Sequence, residues 1–287
     1  MVTIIITAYN VSKTLAKAIQ SCLDQTYEDI EILIINDCAT DNTLEVAQSF
    51  SDPRIRIINN EENLGAGMSR RIGSKEAKGD YTIFLDGDDY LDKDYVEVLY
   101  NLAKKHNADI VSSGLRILNA AGEKENEYDY IWDEKVMTGV ELINDLTEQH
   151  HNLNIYLNTK LVSRKLWDEI DYSDRRYGED TQTCFYVTFL SKTVVCTSYT
   201  GYNYIQNPNS LCHTAGIYKH RIHQTLCAKD ICEFAAKYTP ENYEATITAF
   251  IDRLRKLSEL DLPDSIQVDF KDQLAELMTF FLQNVKF

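Results

Sequence analysis

Four short apolar runs constrain this chain more than any other feature. Residues 2–8 (VTIIITA), 31–36 (EILIIN), 54–58 (RIRII) and 81–85 (YTIFL) are largely apolar and rich in β-branched residues. Helical patterns separate them. Leu15, Ala16, Ile19 and Leu23 recur at helical spacing within 12–25, and Asn42-Thr-Leu-Glu45 has the form of a capping box. Further helices are expected over about 65–77 and 92–106, before DIVSSG at 109–114. Apolar strands alternating with helices predict an α/β fold: a mainly parallel central sheet with helices on both faces. In such sheets ligands bind beyond the carboxyl ends of the strands. That rule gathers Thr7–Asn10, Asp37 and Asp86–Asp89 along one rim.

Residues 115–215 are less regular. They hold a polar loop at 120–127 (AAGEKENE) and one strand-like stretch at 193–205 (TVVCTSYTGYNYI). From Gly216 the pattern is helical. Phe250, Leu254 and Leu257 share one face; Leu274, Leu277, Met278, Phe281, Leu282 and Val285 share another. Packing on their own domain is the favoured reading of these faces, and a homodimer or membrane contact through them stays open. The expected division is 1–215, with a nucleotide-binding half (1–114) and an acceptor half (115–215), followed by a helical C-terminal region (216–287).

Charge and composition narrow the function. The net charge is −16, which makes nucleic acid a poor partner and argues against simple electrostatic docking to an anionic bilayer. No 18-residue apolar run exists, and the opening MVTIIITAYN lacks a basic leader region, so neither a membrane span nor a signal peptide is expected. The seven cysteines form no CxxC pair and read as reduced thiols of a cytoplasmic protein.

The acidic turn FLDGDDYLDKDY follows the fourth apolar run directly. Carboxylates there suit a hard divalent cation, Mg²⁺ or Mn²⁺, bound in part through a substrate's phosphates. An EF-hand is excluded, because loop position 6 would be Leu91 where glycine is required and a strand precedes the loop. Asp92 and Asp94 are expected to be solvated residues of the turn, with Asp92 capping the next helix. Gly65-Ala-Gly-Met-Ser-Arg70 carries only part of a dinucleotide fingerprint and does not follow the first strand.

Five segments together carry a family resemblance. KGDYTIFLDGDDY resembles the strand and DxD segment of inverting family 2 glycosyltransferases with the GT-A fold. TAYN (7–10), INDCATDNT (35–43), NLGAGMSRRIG (63–73) and YGED (177–180) are similar to that family's other motifs, in its order. The chain departs from the family pattern at Asn36, Cys38, Ala39 and Arg71. The resemblance implies a donor site in which Thr7, Tyr9 and Asn10 line the base, Asp37 accepts from uracil N–H, and Arg70 faces the base or diphosphate. It implies that Asp86 contacts the ribose, Asp88 ligates the metal, and Asp180 is the catalytic base. His213, in NSLCHT, is a further candidate metal ligand or diphosphate contact. The implied activity is metal-assisted, inverting transfer from a UDP-sugar to a saccharide or lipid-linked acceptor, in surface polysaccharide synthesis at the inner face of the membrane. An inactive nucleotide-sugar-binding module and a sugar nucleotidyltransferase are the alternatives.

Overall fold

A computed structural model describes residues 1–130, 132–146, 156–170, 179–206, 217–238, 243–260 and 271–284. The chain divides into two compact units, Met1–Asp174 with Thr183–Asn207, and Arg175–Gln182 with Pro208–Phe287.

The first unit is built on an eight-stranded sheet. Strands β1 (Val2–Ala8), β2 (Ile30–Asn36), β3 (Ile55–Asn59) and β4 (Tyr81–Asp86) are mutually parallel, in the order β3-β2-β1-β4. Helices α1 (Leu15–Leu23), α2 (Thr43–Gln48) and α3 (Ala66–Glu76) make the crossovers. Every residue of β2 and all but one of β1 are buried. This accounts for the weak polar alternation in their sequences, since helices cover both faces.

Beyond β4 the sheet becomes mixed. After β5 (Tyr90–Leu91) and α4 (Tyr95–His106), β6 (Ile110–Ser112) enters the sheet two places from β4. Between them lies β10 (Lys160–Ser163), antiparallel to both. Trp167 anchors the chain after β10: its indole N–H donates to Thr82 Oγ1 at 2.7 Å and its ring meets Phe84 edge-on.

A second sheet of four strands, in the order β5-β12-β7-β8, combines β5 with β7 (Leu115–Leu118), β8 (Lys124–Tyr128) and β12 (Tyr202–Ile205). Two expectations change here. The polar stretch 120–127 is not all loop: it turns at Asn119–Glu123 and runs on as β8, an edge strand whose Lys and Glu side chains face solvent. Charged side chains on an edge discourage pairing with other chains, so a strand need not be apolar there. The stretch 193–205 is two strands in two sheets: Val194–Cys196 is β11, in the large sheet between β6 and β9 (Lys135–Met137), and Tyr202–Ile205 is β12. The break ends at Gly201, where a Cβ would crowd Tyr199 and Tyr95.

Helix α5 (Gly139–Leu146) precedes β10, and α6 (Glu179–Leu190) precedes β11. In the second unit, α7 (Ile217–Tyr238), α8 (Tyr243–Ser258) and α9 (Lys271–Asn284) pack around Ile222, Leu226, Cys232, Phe250, Leu257, Leu277 and Phe280. Phe250 and Phe280 meet edge-to-face at 5.0 Å. The expected α9 stripe is only partly buried. Leu277 is fully buried, whereas Met278 and Leu282 stay exposed, because α9 turns Phe280 inward beside Leu277. Val285 lies outside the described residues. No helix among the described residues is long and apolar enough to cross a membrane. Cys22, Cys38, Cys184, Cys196, Cys227 and Cys232 are free thiols; Cys212 lies outside the described residues.

Candidate active site

The parallel register brings the expected residues to one rim. Thr7 is paired with Asp86 across β1 and β4, and Ala8 with Asn36 across β1 and β2. The chain leaves β1 through Tyr9, which is 44 % exposed, and Asn10, which adopts a left-handed φ of 54°. Asparagine tolerates that conformation better than most residues. Asn10 Oδ1 accepts from Thr40 N at 2.8 Å and Thr40 Oγ1 at 3.2 Å, tying the β1 exit to the loop after β2.

Asp41 makes the same link from the other side. It accepts from Ser12 N at 3.2 Å and Thr43 N at 3.0 Å, and Thr43 Oγ1 in turn accepts from Val11 N at 2.9 Å. Burial alone would raise its pKa, but the hydrogen bonds from Ser12 and Thr43 hold the carboxyl down to about 2. The expected capping box is replaced by this arrangement: Asn42 occupies the N-cap of α2 without a side-chain capping bond.

Asp37 is 3 % exposed and holds the loop that enters α3. Its Oδ1 accepts from Asn60 Nδ2 at 2.8 Å and Leu64 N at 2.9 Å, and its Oδ2 accepts from Gly65 N at 2.8 Å. The short loop ending at Gly65 starts α3 so that Arg70, five residues on, points back at the end of β4.

Arg70 supplies positive charge beside the acidic turn. The guanidinium is buried, and Nη2 donates to Asp86 Oδ1 at 2.9 Å; Thr7 Oγ1 donates to the same oxygen at 3.1 Å. The turn that follows needs glycine. A Cβ on Gly87 would lie 2.9 Å from Val11 Cγ2 and 3.1 Å from Thr7 O. Gly87 N donates to Thr7 O at 3.0 Å and Gly87 O accepts from Thr14 Oγ1 at 2.9 Å, fixing the backbone.

Asp88 and Asp89 then diverge. Asp89 is buried; it accepts from Tyr202 Oη at 2.7 Å and from Ile205 N at 2.8 Å, both on β12. The same Tyr202 hydroxyl accepts from Asp86 N at 3.3 Å. Asp89 thus pins the turn to the second sheet. Burial, and then the charges of Asp88 and Asp86, push its carboxyl well above the usual range. Asp88 is only partly buried. Among the described residues its carboxylate takes no hydrogen bond or ion pair beyond its own backbone. Burial, and next the Asp86 carboxylate, raise it to about 6.

Arg70 thus pairs with Asp86, while Asp88 and Asp89 are raised by burial and by neighbouring carboxylates. Mg²⁺ and Mn²⁺ take one or two carboxylates and complete their shells with water and substrate phosphate. Asp88, with its oxygens uncommitted, is the side chain that fits such an ion, and Asp86 could share it only by competing with Arg70.

The remaining residues fall elsewhere. Asp180 is partly exposed in the first turn of α6, beside the buried Glu179. Its unit is the second one, with Arg175–Gln182. Tyr177, Gly178 and His213 lie outside the described residues. Asp92 does not cap α4: it binds Arg116 Nη1 at 2.9 Å and Asn203 Nδ2 at 2.8 Å, while Asp94 occupies the N-cap and accepts from Tyr199 Oη at 2.6 Å. Arg116 drew Asp92 away, since a charged partner outweighs a backbone amide. Asn60 and Tyr202 were not foreseen, and nothing in their local sequence marks the long-range bonds they make.

Comparison with known proteins agrees with this geometry. The profile of the family described as "Glycosyl transferase family 2" matches residues 3–167. Glycosyltransferase GlyA of Streptococcus pneumoniae is 31 % identical over 73 % of this chain, which spans only 31 % of GlyA. Glycosyltransferase GlyG of the same organism is 24 % identical over 98 % of this chain and 96 % of its own. Among solved structures, S. aureus TarS 1–349 in complex with UDP-GlcNAc superposes with a TM-score of 0.78 at 16 % identity, over 97 % of this chain and 81 % of that one. At that identity the likeness speaks for the fold. With more than half of its length matched by the family profile, and the profile's span holding the rim from Thr7 to Asp88, the chain belongs to glycosyl transferase family 2.

Proposed function

We propose that the protein is an inverting glycosyltransferase that uses a UDP-sugar donor with Mg²⁺ or Mn²⁺. The observation that carries this reading is the turn at β4: an uncommitted Asp88 beside an Arg70–Asp86 ion pair, at the carboxyl end of a parallel sheet. The uracil stacks on the exposed Tyr9 ring and meets Thr7 and Asn10. A carboxylate offers about four acceptor sites; the protein fills three on Asp37, and the fourth takes the uracil N–H. Arg70 serves the base edge or the diphosphate, and Asp86 the ribose. Asp88 holds the metal, with His213 as a further ligand. The ion, when bound, neutralises charge growing on the diphosphate leaving group.

The transfer is one displacement. An acceptor oxygen attacks the anomeric carbon, the bond from that carbon to the UDP oxygen breaks, and UDP leaves with the electron pair. Asp180 takes the acceptor's hydroxyl proton as its oxygen bonds to carbon. The configuration at the anomeric carbon inverts. The acceptor is a saccharide, free or lipid-linked, as family membership suggests, and the free thiols fit a cytoplasmic setting. A panel of UDP-sugars, followed by NMR for UDP release and for the anomeric configuration of product, tests this. Inverted product supports it. Retained configuration refutes the mechanism, and tight UDP binding without any hydrolysis or transfer would favour a binding module.

A further inference from the structure

Asp37 is held in place by a buried amide. Asn60 follows β3 directly, and its backbone N donates to Asn36 O at 2.9 Å, which carries the parallel ladder of β2 and β3 one residue past its last strand pair. Asp37 N donates in the same way to Ala8 O at 2.9 Å, just past the end of β2. The sheet therefore fixes both backbones. The two side chains meet against the first turn of α3. Asn60 Nδ2 donates to Asp37 Oδ1 at 2.8 Å and to Ser69 Oγ, on α3, at 3.3 Å. Asp37, Asn60 and Ser69 are all buried.

That amide has one orientation. An ionised carboxylate only accepts, so the Asn60 atom facing it is the nitrogen, whose second hydrogen is directed to Ser69. Asp37 Oδ1 receives Asn60 Nδ2 and Leu64 N, and Oδ2 receives Gly65 N at 2.8 Å. All three partners are N–H donors. Two of them fill Oδ1, so the open position lies on Oδ2, and it is an acceptor. Uracil presents an N–H at N3, where cytosine presents a lone pair. A site that offers only an acceptor binds the first and sets lone pair against lone pair with the second, and such unmatched polar groups reject a ligand strongly. Leu64 and Gly65 donate through the backbone. Asn60 is the donor that depends on a side chain.

We propose that Asn60 is the positioning residue for base selection: by donating to Asp37 Oδ1 it keeps Oδ2 turned to the base as an acceptor, and so makes the site select uracil over cytosine nucleotides. The proposal rests on the reading of Asp37 as the partner of uracil N–H. It adds a specificity determinant 23 residues from Asp37, outside the five segments that carry the family resemblance. The donor class follows: a nucleotide whose base has an N–H at that position, and not a cytidine nucleotide.

The test measures UDP and CDP affinities of the full chain by calorimetry in Mn²⁺. Wild type should prefer UDP at least about tenfold. Asn60→Asp keeps the shape of the side chain and exchanges the donor for an acceptor; its ratio of UDP to CDP affinity should fall at least about fivefold. Asn60→Ala leaves Oδ1 one donor short and should lower the ratio at least about twofold. It carries the test if thermal unfolding shows that Asn60→Asp does not fold. A residue that serves only the fold weakens both nucleotides alike, so an unchanged ratio in the folded variants overturns the proposal. Asp37→Asn separates the proposal from the reading beneath it. A wild-type preference for UDP that is lost in Asp37→Asn but kept in the Asn60 variants removes Asn60 and leaves the reading of Asp37 intact. No preference in wild type, or a preference that survives Asp37→Asn, removes that reading and the proposal with it.

Discussion

The acidic turn at the end of β4 and the Lys229 cluster on α7 and α9 treat charge in opposite ways. At the turn, Arg70 pairs with Asp86, and the fold spends hydrogen bonds from Thr7, Tyr202 and Ile205 on Asp86 and Asp89 while leaving Asp88 uncommitted. In the cluster, Lys229 is surrounded by three carboxylates, Glu276 at 2.9 Å, Glu233 at 3.0 Å and Asp230 at 3.5 Å. Asp88 is the carboxylate of the turn whose oxygens remain for a cation.

The largest effect that would separate the two regions comes from the residue assigned to the chemistry. A positioned general base contributes typically 10²–10⁴-fold. Asp180→Asn should lose turnover on that scale in steady-state assays, with UDP affinity unchanged. A near-normal rate would leave Asp180 as an ordinary residue of the first turn of α6.

A smaller effect is expected at the pin beneath the turn. Tyr202→Phe removes the donor to Asp89 and the acceptor for Asp86 N in a buried setting, which costs about 1–3 kcal/mol. Denaturant unfolding measures it. Calorimetry should show weaker UDP binding in Mn²⁺. Unchanged UDP affinity would show that the pin does not hold the turn in its binding form.

The smallest effect is a pH dependence confined to the rim. Asp41 titrates at about 2 when folded, below its ordinary 3.8. A depressed carboxyl contributes stability that is present above about 3.8 and lost as pH falls from there through 2. Asp41→Asn should flatten the acid limb of the stability profile between those values. An unchanged slope would show that the Ser12 and Thr43 bonds do not favour the ionised form.

How much of this was legible in the sequence depends on whether a partner is near in the chain. The parallel strands could be read because each carries its own apolar run, and topology then brings Thr7, Asp37 and Asp86 to one rim. The turn itself was legible because Asp86, Asp88 and Asp89 fall within four residues. What pins it was not: Tyr202 lies 113 residues beyond Asp89. The same applies to Arg116, whose pull on Asp92 overrode the expected helix cap. The break of 193–205 into two sheets was hidden because both halves read as strand, and only the crowding at Gly201 separates them.

The central claim is that Asp88 is uncommitted because it holds a divalent cation for the donor diphosphate. The direct measurement is UDP affinity by calorimetry, in Mn²⁺ and in EDTA, for wild type and Asp88→Asn. Wild type should bind UDP at least tenfold more tightly in Mn²⁺, and Asp88→Asn should bind it with the weaker, EDTA-like affinity in both conditions. Equal affinity for wild type in Mn²⁺ and EDTA would contradict the account.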